Sequence, residues 1–324
     1  MHVKKVLVRL IMVIKELGKN VYAFQTPNTF SIVKNTQETV RFFQDLRSVC
    51  DAMKYGEIVF DMQNLEFVSI DAVMYIIAMA YKISGLNPNI RFAILKPDKK
   101  RVKNFINQCG LNDFIKDSEC DDCGDEYFVI RVGSQTDTQV ANEISEFTRS
   151  KSSQIEANHV SMLYKMLIEM MNNSMEHAYT DIELKEIKDI WFVFIENSAK
   201  RLKFTFLDTG IGIPKSIFKK NRGNIEDIQR MFGNEQNKQL DDSFIFRALT
   251  GRIERENKEN SNRGRGLPEI YGYYKNEHIF SNLCIISGDE KCKFYDSDRL
   301  KAKFEQLESE LCGTLYYWEM KKGV

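Results

Sequence analysis

The sequence predicts an α/β protein of two domains, and three observations carry that expectation. Short apolar runs of strand length alternate with longer amphipathic runs through the first half of the chain. The second half repeats strands and helices but places glycine pairs directly after apolar runs. With 324 residues, 43% of them hydrophobic, the chain is long enough for about two domains of roughly 150 residues, each with its own core.

Taken in order, residues 3–17 set Val3, Leu7, Leu10, Ile11 and Ile14 at three-and-four spacing, with Lys4, Lys5, Arg9 and Lys15 on the other side. That pattern predicts an amphipathic helix, docked on its own domain or offered to a partner chain or a membrane surface. A strand follows over 21–24. Asn35, with Glu38 three residues on, reads as an N-cap and its capping-box carboxylate, opening a helix that reaches Met53. The run 57–62 reads as a buried strand, 70–82 as a nearly all-apolar helix, and 90–95 as another strand. Residues 98–109 read as a helix ended by Gly110, which takes a left-handed C-cap without steric cost. A strand over 127–132 closes this half, so the domains are expected at 1–135 and 136–324.

Charge and cysteine content narrow the class. Lys plus Arg equals Asp plus Glu at 46 each, so no overall field draws nucleic acid or an acidic membrane. No run reaches about 18 uninterrupted apolar residues, and the stretch 6–14 is followed by Lys15-Glu16 rather than by a small-residue cleavage site; a cytoplasmic protein is expected. The seven cysteines fit reduced thiols better than a disulfide framework. Cys120-Asp121-Asp122-Cys123 has the spacing of half a zinc site but no second ligand pair nearby, and reads as a solvated acidic turn.

In the second half, Val160, Leu163, Met166, Leu167, Met170 and Met171 recur at helical spacing over 157–178. Glu169, Asn173 and His177 then fall on one stripe, four residues apart: a polar helix face, or a carboxylate, an amide and an imidazole held in register. Runs 190–196 and 202–207 predict a hairpin across 197–201. The second runs into Asp208-Thr209-Gly210-Ile211-Gly212-Ile213-Pro214. Glycines two apart after a strand let a backbone approach a ligand closely, and an aspartate at the strand end accepts from an amine. A long polar stretch with a short helical pattern over 244–253 reads as a mobile lid over about 215–266. It ends in Arg263-Gly264-Arg265-Gly266-Leu267-Pro268, where glycine amides at a helix start suit an anion and two arginines add donors. A helix over 267–274, a hairpin of 283–287 with 291–295, and a closing strand over 314–320 complete the chain.

Two resemblances follow from these motifs. Val59-Phe60-Asp61-Met62-Gln63-Asn64-Leu65-Glu66-Phe67-Val68-Ser69-Ile70-Asp71-Ala72-Val73 resembles the strand-loop-helix signature of STAS domains, over roughly residues 20–130. In that family a serine at the helix start is the phosphorylated switch; here Asp71 stands at that position, read as a cap or helix-dipole partner, with Ser69 beside it. Residues 140–324 resemble the GHKL superfamily, whose Bergerat fold is an α/β sandwich of a mixed sheet with helices on one face; its members include DNA gyrase B, heat-shock chaperones, histidine kinases and MutL.

The second resemblance implies ATP and Mg²⁺ as cofactors. By position, Asn173 would hold Mg²⁺, and Glu169 would be the catalytic base activating water or a hydroxyl. Asp208 would read adenine, with Gly210, Gly212 and Ile213 lining the base and Thr314 supporting Asp208. Gly264 and Gly266 would wrap the phosphates, with Arg263, Arg265 and Leu267 beside them in the cofactor site, and His177 would match a histidine of the anti-sigma kinases or be a packed structural one. No phosphoacceptor run surrounds His2, His159, His177 or His278, which disfavours a sensor histidine kinase. The expected activity is Mg-ATP binding with slow hydrolysis, lid closure signalling to a partner. The alternatives are an anti-sigma-type serine/threonine kinase acting on a separate STAS-like protein, and a non-catalytic protein that keeps ATP as a structural ligand. Expected partners are ATP, a protein docking on the STAS-like domain or the lid, and a second copy of the chain.

Overall fold

The computed structural model describes residues 14–109, 111, 127–176, 190–220, 243–251, 266–298 and 300–323. The chain divides into two units, Met1–Gly124 with Glu308–Glu310, and Asp125–Leu307 with Leu311–Val324.

The first unit runs β1 (Ile14–Gly18), β2 (Val21–Gln25), β3 (Thr29–Phe30), α1 (Thr36–Ala52), β4 (Gly56–Asp61), β5 (Phe67–Val68), α2 (Ile70–Leu86), β6 (Ile90–Leu95) and α3 (Lys100–Gln108). The main sheet has the order β1-β2-β4-β6, with β2, β4 and β6 parallel and β1 antiparallel at the edge. Parallel neighbours need crossovers, and α1 and α2 supply them. Aromatic side chains fill the space between sheet and helices. Phe24, Phe30, Phe42 and Phe60 are fully buried, and Phe42 meets Phe30 and Phe43 with ring centroids 5.2 and 5.3 Å apart.

Two expectations change here. Residues 14–17, read as the end of an amphipathic helix, are a strand; Asn20 adopts a positive φ of 62° in the turn and returns the chain so that Ile14 faces Phe24 across a hairpin. Residues 1–13 lie outside the described residues. Asn35 does sit at the N-cap of α1, but its side chain makes no cap bond; its amide donates to the Thr29 carbonyl (2.9 Å) and to Glu38 Oε2 (2.7 Å).

The second unit runs β7 (Tyr127–Gly133), α4 (Thr138–Ser150), α5 (Ala157–Glu176), β8 (Trp191–Asn197), β9 (Arg201–Asp208), α6 (Ile213–Lys220), α7 (Phe244–Leu249), α8 (Gly266–Asn276), β10 (Phe280–Phe294) and β11 (Ala302–Lys321). Its sheet has the order β10-β11-β9-β8-β7. Alternate residues of the strands, among them Trp191, Val193, Phe204, Phe206, Tyr316 and Trp318, face one buried cluster with Met166, Met170 and Met171 of α5 and Ile270 of α8. Phe204 stacks on Trp318 at 5.0 Å. This layer fixes α5 and α8 over the sheet.

Three further expectations are corrected. The strand over 127–132 does not close the first domain: it pairs antiparallel with β8, and the unit boundary falls between Gly124 and Asp125 rather than at 135. The sheet is not mixed; all four pairings among its described strands are antiparallel. The segments 283–287 and 291–295 are not the arms of a hairpin. They are one strand, β10, in which Gly288 (φ 60°) makes a bulge instead of a turn, and β11 begins at Ala302 to pair with its far end. Among the described residues no helix is long and apolar enough to cross a membrane.

Candidate functional site

Two groups of the singled-out residues come together in the second unit. The first lies where α5 meets α8. Glu169 and Asn173 are one helical turn apart on α5, and the flanking Met166, Leu167, Met170 and Met171 are buried in the core, which leaves the two polar residues at the margin of the packed face. Gly266, the first residue of α8, is buried against them. A Cβ at Gly266 would stand 2.5 Å from Glu169 Oε2 and 3.4 Å from Asn173 Nδ2, so bare backbone at a helix N-terminus lies directly on the carboxylate and the amide. Asn173 Nδ2 is buried and has no hydrogen-bond partner among the described residues. Tyr273, two turns along α8, has its phenol pKa raised by burial first and then by the charges of Glu269 and Glu169.

The second group lies at the end of β9. Asp208 is buried, directly opposite Thr314 of β11 and Trp191 of β8. Its Oδ1 accepts the Gly210 N–H at 2.9 Å, an Asx-type closure of the turn that follows the strand. Gly212 has φ 84°, and a Cβ there would stand 2.8 Å from Ser287 Oγ. Gly313 has φ 93°, and a Cβ there would collide with the Asp208 carbonyl oxygen. Both positions require glycine. α6 begins at Ile213, with Pro214 in its first turn, where a missing N–H costs nothing. Tyr316, two residues beyond Thr314, is wholly buried, and burial together with the Asp208 charge raises its phenol pKa well above the usual value.

Of the expected site residues, Glu169, Asn173 and Gly266 thus form one group, and Asp208, Gly210, Gly212 and Thr314 another. Ile213 is buried in the core and Leu267 packs against its edge. His177, Arg263, Gly264 and Arg265 lie outside the described residues, as do Cys120, Cys123 and most of the expected lid.

Sequence reasoning missed two polar residues of β10. Ser287, fully buried, bonds the loop after β9 and the start of the closing run of β11. Glu290, also buried, accepts from Ser243 Oγ (3.0 Å) and from the Phe244 and Ile245 N–H groups (3.2 and 3.1 Å), pinning the start of α7. Burial raises its carboxyl pKa against those bonds. The available signal was a serine and a glutamate inside an apolar strand. Compared with protein-family models and with curated proteins, the chain matches none.

Proposed function

We propose that the second unit binds Mg-ATP and hydrolyses it slowly. The observation that carries this reading is the pairing of a glycine helix start with a carboxylate and an amide: Gly266 lies on Glu169 and Asn173. An anion at that N-terminus would meet backbone N–H groups and the positive end of the helix dipole. Glu169, at its edge, is the candidate general base for water attacking the terminal phosphate. At the other group, Asp208 and Thr314 stand directly opposite each other on neighbouring strands, and their side-chain oxygens would read an exocyclic amine.

Mg²⁺ is usually held by one or two carboxylates plus water and substrate phosphates, and here an amide oxygen would take a carboxylate's place. Among the described residues no group of three or more His, Cys, Asp or Glu side chains could hold a metal ion. Asn173 is the side chain that would contribute, since its buried amide has an unused bond and its two ends are interchangeable by a flip. Bound there, the ion would neutralise phosphate charge. In the same reading the first unit is the partner-binding module. Asp71, at the position that would carry a phosphoserine switch, is instead sealed in the fold: it accepts from Ile32 N–H (2.7 Å), Ser69 Oγ (2.8 Å) and Ser31 Oγ (3.3 Å).

The test is incubation with γ-labelled ATP and Mg²⁺. Free phosphate released by the wild-type protein and reduced about a hundredfold or more in Glu169→Ala supports hydrolysis with Glu169 as base. Label transferred to an added STAS-like protein would replace hydrolysis by the kinase activity. Tight binding without release or transfer would leave ATP as a structural ligand, and no binding would remove the reading.

A further inference from the structure

We infer that Ser287 is a positioning residue that sets which purine the pocket accepts, by fixing the direction of the Thr314 hydroxyl. The inference rests on the nucleotide reading above and extends it to a residue outside the recognised motifs. Ser287 Oγ is fully buried and meets three groups: it accepts the Ile213 N–H at 2.8 Å, donates to the Gly313 carbonyl at 3.0 Å, and lies 3.0 Å from Thr314 Oγ1. A hydroxyl has one proton and two lone pairs. The one assignment that makes all three contacts hydrogen bonds gives the Ser287 proton to Gly313 and one lone pair to Ile213, with the Thr314 hydroxyl as the donor in the third.

That leaves Thr314 Oγ1 with lone pairs alone for anything else it meets. Asp208, directly opposite on β9, is also an acceptor when ionised. The two side chains together form an acceptor-only pair, which suits a group that donates. An exocyclic amine, as on a 6-aminopurine, has protons for it; the carbonyl of a 6-oxopurine does not. A single bridging water preserves the rule. It would spend both protons on Asp208 and Thr314 and turn its lone pair to the base, again asking for a donor. The glycines reinforce the arrangement, because Gly212 gives Ser287 its space and Gly313 presents the carbonyl that takes the Ser287 proton.

The test compares binding of ATP and inosine triphosphate, which differ in the amine-to-carbonyl exchange, by calorimetry on the full chain with Mg²⁺. The wild-type protein is expected to prefer ATP at least about tenfold. In Ser287→Ala the freed Thr314 hydroxyl can turn its proton to a carbonyl, and the preference is expected to fall about tenfold. Ser287→Cys keeps the size with a weak acceptor and gives the same loss if the alanine variant does not fold. A wild-type protein that binds both nucleotides equally, or a folded variant that keeps the wild-type ratio, overturns the inference. Binding of neither nucleotide by the wild-type protein is a different result, which removes the nucleotide reading itself.

Discussion

Each unit buries an aspartate at the junction of regular elements, and the two are surrounded in opposite ways. Asp71, in the first turn of α2, is closed in by side chains and backbone of its own unit, with both oxygens bonded by Ser31, Ile32 and Ser69. Asp208, at the end of β9, has its backbone packed against Gly313, which like Gly212 nearby in the chain has a positive φ and faces occupied space. A carboxylate wrapped by donors from its own fold ties loops together. One beside obligatory glycines sits where strand ends and turns of the same unit pack backbone against backbone.

The largest effect that tests this contrast is at Gly313. Gly313→Ala combines a strained φ with a Cβ driven onto the Asp208 carbonyl, and is expected to cost about 4 kcal/mol or to prevent folding of the second unit, measured by denaturant unfolding. A well-folded alanine variant would remove the claim that glycine is obligatory there.

Asp71→Ala is next. It strands three donors in a buried site and is expected to cost about 3 kcal/mol while leaving nucleotide binding by the second unit unchanged. The pH profile adds a sharper reading. Burial raises the Asp71 carboxyl pKa despite its hydrogen bonds, so the folded state holds the proton more tightly than the unfolded chain does. Its contribution to stability is therefore full below the unfolded carboxylate pKa and declines as pH rises from about 4 towards the raised value. In Asp71→Asn that decline is expected to vanish from the variant's own profile, so that it appears in the wild-type-minus-variant difference.

Glu319 gives the opposite slope on a smaller scale. Burial pushes its carboxyl up, but bonds from Tyr317, Arg201 and Asn282 outweigh it and hold its pKa below the usual value. Its stabilisation is present above the unfolded carboxylate value and lost as pH falls through the lowered one. Glu319→Gln is expected to cost about 1.5 kcal/mol at neutral pH, with the cost disappearing in acid unfolding curves. Smallest in stability is Gly266→Ala, under about 1 kcal/mol, because the added methyl meets the mobile end of Glu169 and alanine favours a helix. If the second unit hydrolyses ATP as proposed, the variant's expected effect is on turnover, through displacement of the carboxylate, and unchanged phosphate release would separate Gly266 from the proposed site.

Much of this was legible from local pattern. The strand at Ile90–Leu95, the β8–β9 hairpin and the core stripe of α5 follow from periodicity alone, and Asp208 and Gly212 stand out because glycines two apart follow an apolar run, whereas Thr314 is singled out by the resemblance alone. What escaped was set by pairing rather than by pattern. Apolar content does not say which sheet a strand joins, so Tyr127–Gly133 was placed in the wrong unit; Gly288-Asp289 has the composition of a turn, yet the long partner strand β11 holds it as a bulge. Ser287 escaped because one hydroxyl in an apolar strand has no spacing to reveal it.

The most direct measurement of the central claim is a calorimetric titration of Mg-ATP into the wild-type protein and Asp208→Asn, with folding of both checked by circular dichroism. The account predicts saturable binding by the wild-type chain, weakened about tenfold or more in the variant, because an amide in place of the carboxylate can turn a donor towards the amine. Equal binding by the two folded proteins, or none by either, would contradict it.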